Sequence, residues 1–219
     1  MDYSTLITTV EAAMNRSDIT AQIPEFIRRV EEEVNTRLAA SPIRPMIKTY
    51  TLPATSARVD LPADFIDAIE LTATDGTDTW QLARLEPTAP FDYYDKALVP
   101  GLTYDGDKIQ QYRILGDTLV LSDTPTTLTL TLDCYTKLEA INDNNSSNWL
   151  MDSHADVYQF GTLAHAGFFV RDYEYYTQNR DLFIGALDMV PLAYPEKKRE
   201  IARRAVDAPW SAPRWNILS

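Results

Sequence analysis

The spacing of apolar residues changes period twice along this chain, and that double change narrows the architectures open to it. Near the N-terminus Leu6, Ile7, Val10, Ala13 and Met14 recur at helical intervals, which predicts a helix over about 3–15. A second helix follows, with Pro24 near its start, where a missing N–H is harmless. Its apolar face is Ile23, Phe26, Ile27, Val30, Val34 and Leu38, and its opposite face carries Arg28, Arg29, Glu31, Glu32, Glu33 and Arg37. It is expected to stop before Ser41-Pro42, with Pro45 beyond.

From about 46 to 138 Thr, Val, Ile and Tyr become frequent, and the period turns to that of strands. Strands are predicted at 47–52, 57–60, 66–73, 79–82, 110–115, 118–122 and 127–136, with tight turns at Asp75-Gly76, Asp105-Gly106 and Gly116-Asp117. The stretch from Leu85 to Leu98 reads as a loop with one helical turn. After the polar loop Asn142–Asn148 the helical period returns. Ser153 is expected to cap a helix with Asp156 at its third position, carrying Val157, Phe160, Ala164 and Phe168 and running to about Asp172. Gly161 and Gly167 would let that helix approach a neighbour closely. A fourth helix, about 174–190, uses Leu182, Phe183, Ala186, Leu187 and Val190; Pro191 and Pro195 interrupt it, and the basic segment 196–207 resumes it. The expected class is therefore α+β: a helical bundle formed by both chain ends (1–43 and 150–207), an inserted antiparallel β-domain (44–149) and an extended C-terminal arm (208–219).

Charge and cysteine usage exclude several functions. With 20 basic and 32 acidic residues the net charge is −12, which argues against an ordinary nucleic-acid binder, because such binding runs on phosphate neutralisation. The lone Cys134 excludes an internal disulfide and a multi-cysteine zinc site; with Leu128, Leu130 and Leu132 it falls on one face of an alternating run and reads as a small core residue. No stretch approaches the ~20 apolar residues of a membrane span. The opening MDYSTLITTV has an acid where a secretory signal would have lysine or arginine, so synthesis in the cytoplasm and no membrane partner are expected.

A search for catalytic patterns finds little. Gly101 to Lys108 (GLTYDGDK) superficially suggests a phosphate loop, but its lysine is one place late, no Ser or Thr follows, and Asp107 would repel phosphate. Asp152, His154 and Asp156 could suggest a metal triplet, yet residues two apart on a helix start point to different sides. His165 sits mid-helix with no acid within a turn and reads as a packing or interface residue. Asp60, Asp64, Asp92 and Asp95 lie near aromatics and are the first candidates for a glycosidase-type carboxylate pair; Tyr93, Tyr94 and Trp80 are those for a carbohydrate platform. Tyrosines at 93–94, 158, 173, 175–176 and 194 suit either an interface or a self-packed cluster. No enzymatic activity, cofactor or metal is expected.

The stretch DAPWSAPRWNILS, Asp207 to Ser219, is the most pointed signal. Pro209 and Pro213 forbid a continuing helix, while Trp210, Trp215, Ile217 and Leu218 make it far more apolar than an idle terminus. Such a segment needs a surface, either the chain's own body or another subunit. Residues 196–219 also hold six basic groups (Lys197, Lys198, Arg199, Arg203, Arg204, Arg214) against three acidic ones. A basic end on an acidic body suits head-to-tail self-association or an acidic partner.

Several motifs, in order, resemble those of tailed-bacteriophage head-to-tail adaptor (connector) proteins. These are Tyr3, the turn Asn15-Arg16-Ser17-Asp18, the helix entry Ile23 to Ile27, Asn35 to Leu38, the strand entry in VDLPADFIDAIEL, and NWLMDSHADVYQFGTLAHAGFFVRD. Together they span residues 3–190; the Pro191–Pro195 break and the Trp-bearing tail depart from the pattern. The resemblance implies a structural subunit at the head-tail junction of a virion, in a ring of twelve identical subunits between the portal protein and a downstream tail or nozzle protein. DNA would pass through an acidic lumen without specific binding. On that reading the arm grips the portal or a neighbouring subunit through Trp210, Trp215, Ile217 and Leu218, with Arg214, Arg203 and Lys197 beside them. The alternative is a tail-associated glycan hydrolase or carbohydrate-binding module.

Overall fold

The computed structural model describes residues 1–88, 109–123, 125 and 127–194. Among them the helices are α1 (Tyr3–Met14), α2 (Ile23–Ala39), α3 (Trp149–Ser153), α4 (Ala155–Phe169) and α5 (Tyr173–Ala193). The strands are β1 (Ile47–Ala54), β2 (Arg58–Asp60), β3 (Phe65–Thr74), β4 (Thr79–Gln81), β5 (Ala83–Arg84), β6 (Gln111–Leu115), β7 (Thr118–Leu121) and β8 (Leu128–Thr136). Helices from both ends of the sequence share one hydrophobic cluster, and the strands between them build another. The fold is α+β, as the period changes predict.

The strands form two four-stranded sheets, ordered β1-β8-β3-β4 and β2-β7-β6-β5. Pairing is antiparallel except for the two-residue contact of β5 with β6. Leu71, Ala73, Leu130, Leu132 and Cys134 from the first sheet meet Val59, Tyr112, Leu119 and Leu121 from the second in one buried layer. Cys134 is a core residue as expected, and burial pushes its thiol up to about 11. The hairpin turns carry Gly76 and Gly116 at positive φ, a conformation that only glycine adopts freely. The expected turn at Asp105-Gly106 lies outside the described residues.

In the helical layer α2 is the central strut. All six residues of its predicted apolar face are buried. Each such side chain contributes roughly 1.5–3 kcal/mol over an exposed one. Glu31, expected on the charged face, is instead 6% exposed. The reason is helical geometry: Glu31 follows Ile27 by four residues and shares its side. Its Oε1 accepts the Ile141 N–H at 2.8 Å and the Tyr158 hydroxyl at 3.1 Å. One turn later Asn35 Oδ1 accepts the Leu138 N–H at 2.7 Å. The segment that leaves β8 is thereby pinned along α2. Asn148 extends the node: its Nδ2 donates to Tyr158 Oη at 2.7 Å and to the Glu139 carbonyl at 2.6 Å, and its Oδ1 accepts the Met151 N–H at 2.9 Å, capping α3.

Two helix ends differ from expectation. Ser153 does not cap α4; it closes the short α3, which Asn148 caps, and His154, with φ −142° and ψ 54°, breaks the path before α4 starts. The stronger cap lay five residues upstream, because the Asn148 amide satisfies donors and acceptors on three segments at once. Pro191 does not interrupt α5, which continues to Ala193. The proline gives up its hydrogen bond to the Leu187 carbonyl and crowds it, and only two residues of helix follow.

Burial raises the Glu31 carboxyl above its ordinary range, against the two hydrogen bonds that favour ionisation. The folded form therefore binds its proton more tightly than the unfolded chain. This contribution is fully present below the ordinary glutamate value and is lost as pH rises through the folded one. Glu31→Gln keeps an acceptor for both donors without the charge. It should be at least as stable as the native chain at pH 8 in urea titrations, with a flatter pH dependence between pH 5 and 8. Glu31→Ala should lose about 1–3 kcal/mol by stranding buried donors. Equal losses in the two variants would contradict this account.

Candidate functional site

Among the described residues, the hairpin of α4 and α5 carries most of the large apolar side chains that the fold leaves exposed. The helices are joined by a tight turn in which Arg171 adopts positive φ (62°) and Asp172 caps α5 by accepting the Tyr175 N–H at 3.0 Å. Close approach depends on Gly161 of α4. A Cβ there would stand 2.7 Å from Val30 Cγ2 of α2 and 2.9 Å from Phe183 Cδ2 of α5. The glycine thus lets α4 lie directly beneath both.

α5 buries Asn179, Phe183, Leu187 and Val190 on its inward side. A helix on the surface of an isolated subunit should be polar on the other side. This one is not. Leu182, Met189 and Leu192 are 51%, 60% and 69% exposed and, with Gly185, repeat at three-four-three spacing opposite the core. Leu182, expected on the buried face, belongs to this outward stripe, since it sits about 100° around the helix from Phe183. The helix thus carries apolar side chains on its outward side as well as on its buried one.

Between α2 and α5 runs a groove of about 800 Å³, floored by His165, Phe183 and Leu187. Ion pairs bridge it: Arg37 Nη2 with Asp188 Oδ1 at 2.5 Å, and Arg180 with Glu33. His165 Nε2 lies 3.1 Å from Glu33 Oε1, close enough for an ion pair but poorly aligned for a hydrogen bond. The acid that His165 lacks on its own helix is thus supplied by α2. Burial, opposed by Glu33, holds the histidine below its ordinary pKa, so it is neutral at pH 7. The groove hydroxyl, Thr36 Oγ1, donates to the Glu32 carbonyl at 2.8 Å. The half-exposed pairs add little to stability.

At the α4–α5 turn the groove meets a smaller cleft of about 350 Å³ lined by Phe26, Phe168, Phe169, Tyr173, Arg29 and Gln22, among others. Phe168, Phe169 and Tyr173 are each more than half exposed. Their rings form a cluster, Phe168 with Tyr176 at 5.5 Å and Phe26 with Phe169 at 5.5 Å.

These surfaces acquire a context from comparison with known proteins. Residues 1–212 match the family model described as SU10 adaptor protein. The chain belongs to that family. It is a phage head-to-tail adaptor family, so the protein is a structural adaptor and a virion component. Among curated proteins none matches.

For an adaptor, the residues weighed as catalytic or glycan-binding have other employment. Asp64 accepts the Tyr50 hydroxyl at 2.7 and 2.8 Å and faces Lys48 Nζ at 3.4 Å. Asp60 ends β2 on the surface. Trp80 is half-buried and donates its indole N–H to the Ile109 carbonyl at 2.6 Å. Asp152 accepts from Ser147, while the His154 ring lies 5.9 Å from that of Tyr194, so the supposed triplet does not converge. Among the described residues no three His, Cys, Asp or Glu side chains group around a metal-sized position. Nor is any helix of the described residues long and apolar enough to cross a membrane. Asp92, Asp95, Tyr93, Tyr94 and the segment 101–108 lie outside the described residues. So do all seven residues expected to bind a partner: Lys197, Arg203, Trp210, Arg214, Trp215, Ile217 and Leu218. The outward stripe of α5 was missed in the sequence, although its spacing, Leu182-Gly185-Met189-Leu192, is a helical repeat distinct from the buried one.

Two of the α-helical glycines, 161 and 185, should respond in opposite ways. Gly161→Ala should cost about 1–3 kcal/mol through overpacking against Val30 and Phe183. Gly185→Ala meets nothing within 4 Å and should stabilise the isolated subunit by up to about 1 kcal/mol. Thermal melts of the two variants check this directly.

Proposed function

We propose that this adaptor assembles into a ring of twelve identical subunits at the head-tail junction. The ring joins the portal protein to a downstream tail or nozzle protein and continues the DNA channel. The observation that carries this reading is the outward stripe of α5, Leu182, Met189 and Leu192, on a helix already buried along its other side. Side-by-side packing of the hairpin in a closed ring covers such a stripe in every subunit, leaving no unpaired copy. The net charge of −12 fits a lumen through which DNA slides without being held.

In this reading residues 208–219 act as an arm that docks on the portal or a neighbouring subunit. Trp210, Trp215, Ile217 and Leu218 supply its apolar contacts, and Lys197, Arg203 and Arg214 bring a basic approach to an acidic body. Tryptophan and arginine are the residue types that dominate interface energetics.

The triple variant Leu182→Glu, Met189→Glu, Leu192→Glu tests the ring. These side chains touch solvent in the subunit, so each change should alter its stability by no more than about 0.5 kcal/mol. Mass photometry should find native protein in rings, alone or after addition of portal, and the variant as monomers with an unchanged circular dichroism spectrum. A variant that still forms rings would exclude this stripe from the interface.

A further inference from the structure

Among the residues that line the α2–α5 groove, His165 is the one whose side chain ordinarily changes charge near neutral pH. It stands on α4, in the floor, where the walls come from α2 and α5. Glu33 faces it from α2, with Oε1 3.1 Å from Nε2, and so does Arg29, which is itself engaged by Glu25 at 3.1 Å. Arg180 faces it from α5. α4 supplies no acid or base within a turn of it. Glu33 is therefore shared: Oε2 takes the Arg180 guanidinium while Oε1 points at the imidazole. The Arg180 pair is one of two ion pairs that cross from α2 to α5 among the described residues. The other, Arg37 with Asp188, stands nearer the C-terminal ends of both helices.

We propose that His165 is a proton-operated latch on α5: neutral, it leaves Glu33 to Arg180 and keeps the junction of α2, α4 and α5 closed, and protonated, it loosens α5 from α2. The proton comes from solvent through the open groove and settles on the imidazole, both of whose nitrogens then become donors. Two costs follow. The new cation sits where its side chain is only 16% exposed, so it gives up most of its hydration. It also stands beside the Arg180 and Arg29 guanidiniums, and the one carboxylate that offsets it is the one that ties Arg180 to α2. Burial first, then both guanidiniums, favour the neutral ring, and Glu33 opposes them. A histidine so held takes its proton more readily once the junction opens. Its contribution is whole above the ordinary histidine value and is lost as pH falls through the folded one. The latch belongs to the single subunit and does not require a ring. What it frees is the helix that carries Leu182, Met189 and Leu192.

Ring-resolved NMR of His165 and amide hydrogen exchange of the full chain, followed from about pH 8 to pH 5, test this. The His165 ring should titrate below the ordinary histidine value, and exchange protection over residues 183–190 of α5 should fall severalfold in the same interval. Amides of β8, in the other hydrophobic cluster, serve as reference and should not fall. His165→Gln keeps an uncharged polar side chain and should leave α5 protection flat over that range. Glu33→Gln removes the group that favours the imidazolium, so the His165 titration should move to lower pH. A ring that titrates at or above its ordinary value would overturn the proposal. So would α5 protection that stays constant while His165 takes up its proton, or that falls equally in His165→Gln. The first two readings are made on native protein, so they decide the matter even where His165→Gln does not fold.

Discussion

Two side chains one turn apart on α2, Glu31 and Asn35, hold this fold together across the sequence. Their oxygens accept the N–H groups of Ile141 and Leu138, residues more than a hundred positions downstream. The returning chain would otherwise carry unsatisfied donors into an apolar layer, a cost of roughly 1–3 kcal/mol each. Tyr158 and Asn148 join the same node, so the start of α3, the body of α4 and the exit of β8 take their positions from α2. The Glu31 carboxyl lies within the apolar layer, and burial there is why its proton affinity rises. A charge so placed contributes less to stability than to which segments meet.

From that node the route to function is one of packing. With α4 fixed against α2, the absence of a side chain at Gly161 lets α5 settle onto both, and α5 then has only one direction in which to face outward. Its outward face is apolar where an isolated subunit would favour polar side chains. In the adaptor ring proposed above, that apolar face is the part of the subunit left for a neighbour to cover. The paired charges of the α2–α5 groove, Arg37 with Asp188 and Arg180 with Glu33, tie the two helices without filling the space between them.

Much of the architecture was legible because the hydrophobic period is strong. The α2 face from Ile23 to Leu38 and the alternation from Leu130 to Cys134 bury as read, and the Gly76 and Gly116 turns fall where expected. The failures have local causes. Glu31 was assigned by charge although its position places it beside Ile27. Ser153 matched a capping pattern, but Asn148 makes more bonds. Pro191 was read as a break, whereas α5 runs two residues past it before ending. β5 was not foreseen because a two-residue strand has no periodicity to detect. The α5 stripe was overlooked because one helix carries two apolar repeats, and a single-face reading merged Leu182 with Phe183. The adaptor family was legible from short motifs in order along residues 3–190, and the family match over 1–212 agrees with it.

The central claim is that the outward face of α5 is a subunit interface. The most direct measurement is a side-chain-resolution electron cryomicroscopy reconstruction of the assembled adaptor, alone or seated on portal. The account predicts a closed ring in which Leu182, Met189 and Leu192 of each subunit are buried against the next. A ring in which those three side chains face solvent or the lumen would contradict it.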